Sequence, residues 1–197
     1  MTINRVELSS RFGTALAYAE EAHRPQRRKG SGVPYVAHLL AVASLVLEHG
    51  GDEDEAIAAL LHDAIEDQGG DEQEERIRAR FGDRVAGIVR ACSAEEKDGA
   101  GWRDRKQRYL DHLDVVERSA LLVSLADKVH NARSILADQR RLGPAVWERF
   151  GAGVDDQRWY YESLLAAYRR RAAGDPELAP LVDEFARTVA TIWPTPA

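Results

Sequence analysis

The sequence predicts an all-α protein, and three observations carry that prediction. Ala, Leu, Glu and Arg, all good helix formers, recur throughout the chain. Apolar residues return three and four positions apart, which is the spacing of one face of a helix. β-Branched residues nowhere gather into the short alternating runs that a sheet requires. A chain of 197 residues suits one domain with a proper core. We therefore expect a single helical-bundle domain over 1–197, with its core at about 10–171 and a last helix at about 176–193.

Each element has its own signals. A first helix is expected from Ser10 to Arg24, with Phe12, Leu16, Ala19 and Ala22/His23 along one side and Pro25 as its stop. Residues 26–33 form a basic, glycine-bearing loop. Pro34 opens a second helix, a favoured first-turn position, which carries His38, Val42, Leu45 and Val46 towards Gly50-Gly51. Asp52 is the N-cap of a third helix, expected to run unbroken to Gly69-Gly70. Glu72 to Phe81 and Asp83 to Cys92 follow as amphipathic helices divided by Gly82. Ser93 to Gly101 is polar and reads as a loop. Trp102 to Leu113 and Ser119 to Ala137 are helices again, the latter with a stripe of Leu121, Leu122, Leu125 and Val129. Gly143-Pro144 breaks the chain. A last pair of helices then runs from Trp147 or Gly153 to Arg171 and from Pro176 to Trp193.

Composition narrows the function. The chain is 44% hydrophobic and 30% charged with net charge −6, so a broad basic face for duplex nucleic acid is not expected. An anionic ligand must be met by a local basic cluster. The one cysteine, Cys92, allows neither an internal disulfide nor a CxxC zinc site. No apolar run approaches a membrane span, and Met1 to Ser10 lacks the apolar core of a signal peptide. The expected setting is the cytoplasm, with no membrane partner.

The chemistry concentrates in Ala58-Ala59-Leu60-Leu61-His62-Asp63-Ala64-Ile65-Glu66-Asp67, which turns from apolar to acidic within about three helical turns. Read as one helix, it spaces His62 from Glu66 and Asp63 from Asp67 by four residues. Such groups at the edge of a core are costly without a cation among them. His38 enters another apolar helix, and Asp127 lies in the middle of the longest buried-looking one. Two imidazoles and two carboxylates from three helices make a plausible site for one divalent ion. By chemistry alone that ion is manganese, iron, cobalt or zinc. Glu66 and Asp67 then remain to orient and deprotonate a water. Taken singly, each residue has a plainer explanation: a core histidine, a polar helix end, an ion-paired aspartate. A solvated C-terminus is an awkward account of Glu66-Asp67, because the helix dipole disfavours carboxylates there.

The combination of His38, His62-Asp63 and Asp127 resembles the ligand pattern of the HD-domain metal-dependent phosphohydrolases. More narrowly, the chain resembles the hydrolase domain of RelA/SpoT-type proteins and the stand-alone small alarmone hydrolases. The match runs through Arg28-Lys29 with Pro34-Tyr35 and His38, Leu60-Leu61-His62-Asp63 with Glu66-Asp67, Phe81-Gly82 with Val85 and Val89, and Leu125-Ala126-Asp127-Lys128 with Asn131. The resemblance implies an HD-type helical bundle in which His38, His62, Asp63 and Asp127 bind one manganese-like ion and Glu66 and Asp67 activate water. Arg28 and Lys29 would hold phosphates, Asn131 the nucleotide's sugar, and Tyr160 would line the nucleotide pocket. The implied reaction is hydrolysis of the 3′-pyrophosphate of guanosine tetra- or pentaphosphate.

The chain also departs from the pattern. Leu39 follows His38 where the family has proline, and Cys92-Ser93 stands for a Val-Thr pair. In Trp102-Arg103-Asp104-Arg105-Lys106, Lys106 is a further candidate phosphate-binding cation, against the simpler reading of a solvated helix face. Two other functions compete: an HD-type nucleotide phosphatase or pyrophosphatase with another substrate, and a non-catalytic alarmone-binding module. The intact Glu66-Asp67 pair argues against the second. The aromatic C-terminal helices are also candidates for an interface between copies of the chain.

Overall fold

A computed structural model describes residues 6–93 and 99–194, with the side chains of 67 and 68 outside that description. Among the described residues the regular structure is helical, apart from an isolated antiparallel bridge between Arg27 and Pro34. The all-α expectation is met. The backbone divides into two compact units, residues 6–93 with 117–127, and residues 99–116 with 128–194.

In the first unit, α1 (Ser10–His23) starts at an N-cap, Ser9, whose side chain accepts from Arg11 N–H. The second helix, α2 (Val36–Glu48), follows the basic loop. Helix α3 (Glu53–Leu61) opens with a capping box: Asp52 and Glu55 each accept from the other's backbone N–H. Every residue of α3 from Glu55 to Leu61 is buried. This helix is the hub of the unit, packed by α1, α2 and α6 (Asp83–Cys92). The close approach of α2 to the start of α3 needs Gly51, where a Cβ would lie 2.4 Å from the Val46 side chain.

The expected unbroken third helix is not found. It ends at Leu61 and resumes as α4 (Ala64–Gln68), with His62 and Asp63 in the turn between. The physical reason is local. His62 Nδ1 lies 2.9 Å from the Ala59 carbonyl, the acceptor that a continuing helix would offer to Asp63 N–H. A side chain competing for a backbone acceptor ends the ladder there. Asp63 takes φ −94° and ψ −5°, a bridge conformation common among active-site residues.

Next come α5 (Gly70–Phe81) and α6, packed on one another. The expected loop at Ser93 to Gly101 falls partly on residues 94–98, outside the described set. Helix α8 (Arg118–Leu142) gives its first part to this unit, where Ala120 to Asp127 are all buried.

The second unit holds α7 (Trp102–Leu113), the rest of α8, a 3-10 turn over Gly143–Arg149, α9 (Val154–Arg171) and α10 (Ala179–Ile192). Pro144 sits in the first turn of the 3-10 segment, which replaces the helix start considered at Trp147. Helix α9 packs on α7 and α10. The Arg171 guanidinium donates to the Leu113 and Val116 carbonyls at 3.1 and 2.7 Å, satisfying the free acceptors at the end of α7. Tyr161, Tyr168, Phe185 and Trp193 are buried in this unit's own core.

Candidate metal centre

Three helices of the first unit bring three polar side chains into its apolar interior. His38 comes from the first turn of α2, His62 from the end of α3 and Asp127 from α8. All three are buried, and one potential ligand atom of each lies within 4.8 Å of the others. His38 Nε2 stands 3.2 Å and His62 Nε2 3.8 Å from Asp127 Oδ1. Asp63, the fourth expected ligand, stands at the edge of this trio. Its Oδ2 is 2.9 Å from His62 Nε2 and 3.7 Å from His38 Nε2, and its side chain is 23% exposed.

The donor set fits a divalent cation, and the surroundings of one atom agree. His62 Nε2 is buried without a well-formed hydrogen bond among the described residues. Because a carbonyl only accepts, the contact with Ala59 requires hydrogen on Nδ1. Nε2 is therefore the atom left to bind a metal, held by a backbone acceptor in the manner usual for ligating histidines. Nitrogen and carboxylate oxygen together suit a transition-metal ion.

The electrostatics agree. For His62, burial would lower the pKa, but the Asp63 and Asp127 carboxylates outweigh it and hold the imidazole well above its ordinary value. For Asp63, burial would raise the pKa, yet the His62 ring beside it brings the carboxyl far below its ordinary range. His38 moves the other way, because burial dominates and keeps it neutral. Without a metal, the two carboxylates thus favour the protonated form of His62.

The other expected residues are placed as follows. Glu66 is exposed on α4, one turn beyond Asp63, while the Asp67 side chain lies outside the described residues. Arg28 and Lys29 stand in a tight loop closed by Arg28 N–H to the Val33 carbonyl, 2.8 Å, and by Gly32 N–H to the Arg28 carbonyl, 3.2 Å. The turn needs Gly30 and Gly32, whose φ values are +80° and +68°. Arg28 is half-buried and Lys29 exposed. In the second unit, Lys106 Nζ lies 5.0 Å from the centre of the Tyr160 ring, a cation–π distance. Asn131 is partly exposed on α8, one turn after Asp127.

Tyr35 is the residue to which sequence reasoning gave no role. Its hydroxyl donates to Asp63 Oδ2 at 2.6 Å, and its ring meets His38 edge-on. The available signal was its spacing: Tyr35 precedes His38 by three residues, one helical turn.

The sequence profile described as HD domain matches residues 15–153 of this chain. The chain belongs to the HD-domain family. An HD domain binds a divalent metal, and in this member His38, His62 and Asp127 lie close together. The chain is 36% identical over 136 residues to the guanosine-3′,5′-bis(diphosphate) 3′-pyrophosphohydrolase MESH1 of Xenopus tropicalis, covering 68% of this chain and 72% of that protein. It is 33% identical over 167 residues to a probable guanosine-3′,5′-bis(diphosphate) 3′-pyrophosphohydrolase of Synechocystis. That match covers 78% of this chain and about a fifth, 22%, of the Synechocystis protein. The solved structure of a metazoan ortholog of SpoT, described as hydrolysing ppGpp, superposes with TM-score 0.74 at 26% identity. The superposition covers 93% of this HD-family chain and 97% of that one.

Proposed function

We propose that this HD-family protein is a metal-dependent guanosine-3′,5′-bis(diphosphate) 3′-pyrophosphohydrolase, releasing pyrophosphate from the 3′ position of the nucleotide. The observation that carries the reading is the buried cluster of His38, His62 and Asp127, with His62 Nε2 turned towards two carboxylates and making no well-formed hydrogen bond. The substrate comes from the relatives, named for that activity and similar over most of this chain.

His38, His62 and Asp127, joined by Asp63, would hold one divalent ion, manganese in our reading. Such an ion makes water more acidic and draws charge from a phosphoryl oxygen. The residues divide the remaining work. Glu66, exposed one turn beyond Asp63, and its neighbour Asp67 orient a water and take its proton. Arg28 and Lys29 offset the charge that gathers on the phosphate oxygens as the water attacks. Asn131 and Tyr160 would receive the nucleoside, and Lys106 is a further candidate cation for its phosphates. The hydrogen-bonded, glycine-bearing turn supports this assignment of the basic loop, since it places both cations side by side in one tight turn. Net charge −6 argues for a small phosphorylated nucleotide rather than a nucleic acid. The half-buried thiol of Cys92, the one cysteine of the chain, suits a reducing, cytoplasmic setting.

The test is a panel of guanosine tetraphosphate and common nucleotides, assayed with manganese and with magnesium. The expected result is pyrophosphate release from guanosine tetraphosphate. Release of phosphate alone, or turnover confined to other nucleotides, would reassign the enzyme to another HD-type reaction.

A further inference from the structure

Asp63 is the one member of the centre that packing holds weakly. Its side chain is 23% exposed, against 1% for His38, 4% for His62 and 9% for Asp127. It also stands in the turn between α3 and α4, as the N-cap of α4, where its side chain makes no capping hydrogen bond. A carboxylate so placed needs a tether if it is to meet a metal reproducibly, because a loosely held ligand must be ordered at the moment of binding.

Tyr35 supplies that tether. Its O–H···O contact to Asp63 Oδ2 is 2.6 Å long, in the short range of hydrogen bonds to ionised oxygen. The donor itself is fixed from every side the structure records. Tyr35 N–H donates to the Gln26 carbonyl at 3.1 Å, pinning its backbone to the start of the basic loop. The ring stacks on buried His23 at 5.2 Å and 28°, and meets His38 edge-on at 5.3 Å. His23 is held in turn by Gln26 Oε1, 2.6 Å from its Nδ1. The Arg28 guanidinium lies 5.9 Å from the centre of the same ring, within reach of a cation–π contact. One side chain thus touches a ligand through its hydroxyl and the basic loop through its ring.

We propose that Tyr35 is a positioning residue with two separable jobs: its hydroxyl orients Asp63 towards the metal, and its ring seats Arg28 of the basic loop. The first job rests on the metal centre proposed above and the second on the role of the loop. Neither makes Tyr35 a catalytic residue, since it acts through Asp63 and Arg28.

The experiment compares Tyr35→Phe, which keeps the ring, with Tyr35→Leu, which loses ring and hydroxyl. Manganese is titrated calorimetrically into each protein without nucleotide, with thermal unfolding recorded as a check on folding. Tyr35→Phe should weaken manganese binding on the order of 10- to 100-fold, as loss of a ligand-orienting hydrogen bond does, and leave KM for guanosine tetraphosphate at saturating manganese unchanged. Tyr35→Leu should show the same metal defect and a raised KM as well. On an Asp63→Ala background, Tyr35→Phe should add no further loss, because the hydroxyl then has no acceptor to orient. Wild-type manganese affinity in Tyr35→Phe would overturn the tether, as would an undiminished additional loss in the double variant. An unchanged KM in Tyr35→Leu would overturn the seating of Arg28. The reading of the centre itself fails separately, if wild-type protein binds no manganese.

Discussion

Two regions of the first unit are dense in charge, and only one of them calls for a ligand. Along α5 and α6, Arg78 pairs with Glu74, Glu75 and Asp83, and Arg90 with Glu74 and Asp71. Most of these side chains are substantially exposed, and each positive charge has its own partner. At the ends of α2 and α3 the count runs the other way. His38, His62 and Asp127 are buried together, two imidazoles face two carboxylates, and one nitrogen has no well-formed hydrogen bond. Exposed ion pairs contribute little and need nothing further. Buried polar groups that remain partly unsatisfied are costly unless a function keeps them. Incomplete pairing at depth, rather than charge density, marks the site.

The contrast can be broken from its catalytic side first. Glu66→Gln should leave manganese binding intact and lower kcat by about 10²- to 10⁴-fold, the usual contribution of a general base. Retained turnover in that variant would move proton transfer to another group.

The next test uses pH. His62 has its pKa raised well above 6.5 in the metal-free protein, so it is protonated at neutral pH and must release that proton to bind a metal. Asp63, with its pKa lowered, is already ionised and releases none. Manganese affinity should therefore fall as pH is lowered from above the raised pKa, with proton uptake into the buffer seen by calorimetry in buffers of different ionisation enthalpy. Without metal the sign reverses. The protonated His62 stabilises the fold fully below about 6.5, its ordinary pKa, and that stabilisation is lost as pH rises through the raised value. An affinity that does not vary with pH would contradict the arrangement.

Lys29→Ala should act on substrate and not on metal. We expect KM to rise about tenfold, equivalent to ~1.4 kcal/mol, with the difference shrinking as salt is added. A salt-independent effect would remove Lys29 from phosphate binding. The smallest effect belongs to the exposed region. Arg90→Ala should change stability by no more than ~1 kcal/mol and leave manganese affinity and kcat unchanged, as unfolding and metal titration would show.

Much of the centre was legible before any coordinates. His38, His62 and Asp127 each interrupt an apolar helical stripe, and the structure buries all three together. The caps at Asp52 and the stops at Gly82 and Gly143-Pro144 followed from local chemistry, which acts through neighbours in sequence. The break at His62-Asp63 did not. No glycine or proline marks it, Ala64 and Ile65 continue the apolar pattern, and what ends α3 is a histidine ring turning back on Ala59. Tyr35 escaped for a related reason. Its hydroxyl meets a carboxylate 28 residues away, and no local pattern encodes such a pairing. Helix α8 outruns its expected end at Ala137, because Asp138 to Leu142 continue the helix after the apolar stripe has stopped.

The most direct test is the amount of metal held by the purified protein and by Asp127→Ala. Each is stripped with chelator, reloaded with manganese, freed of excess and analysed for metal per chain. The account predicts one ion per wild-type chain, none in Asp127→Ala, and hydrolysis of guanosine tetraphosphate only in the loaded wild type. A wild-type chain that holds no metal, or an Asp127→Ala variant that holds as much, would contradict it.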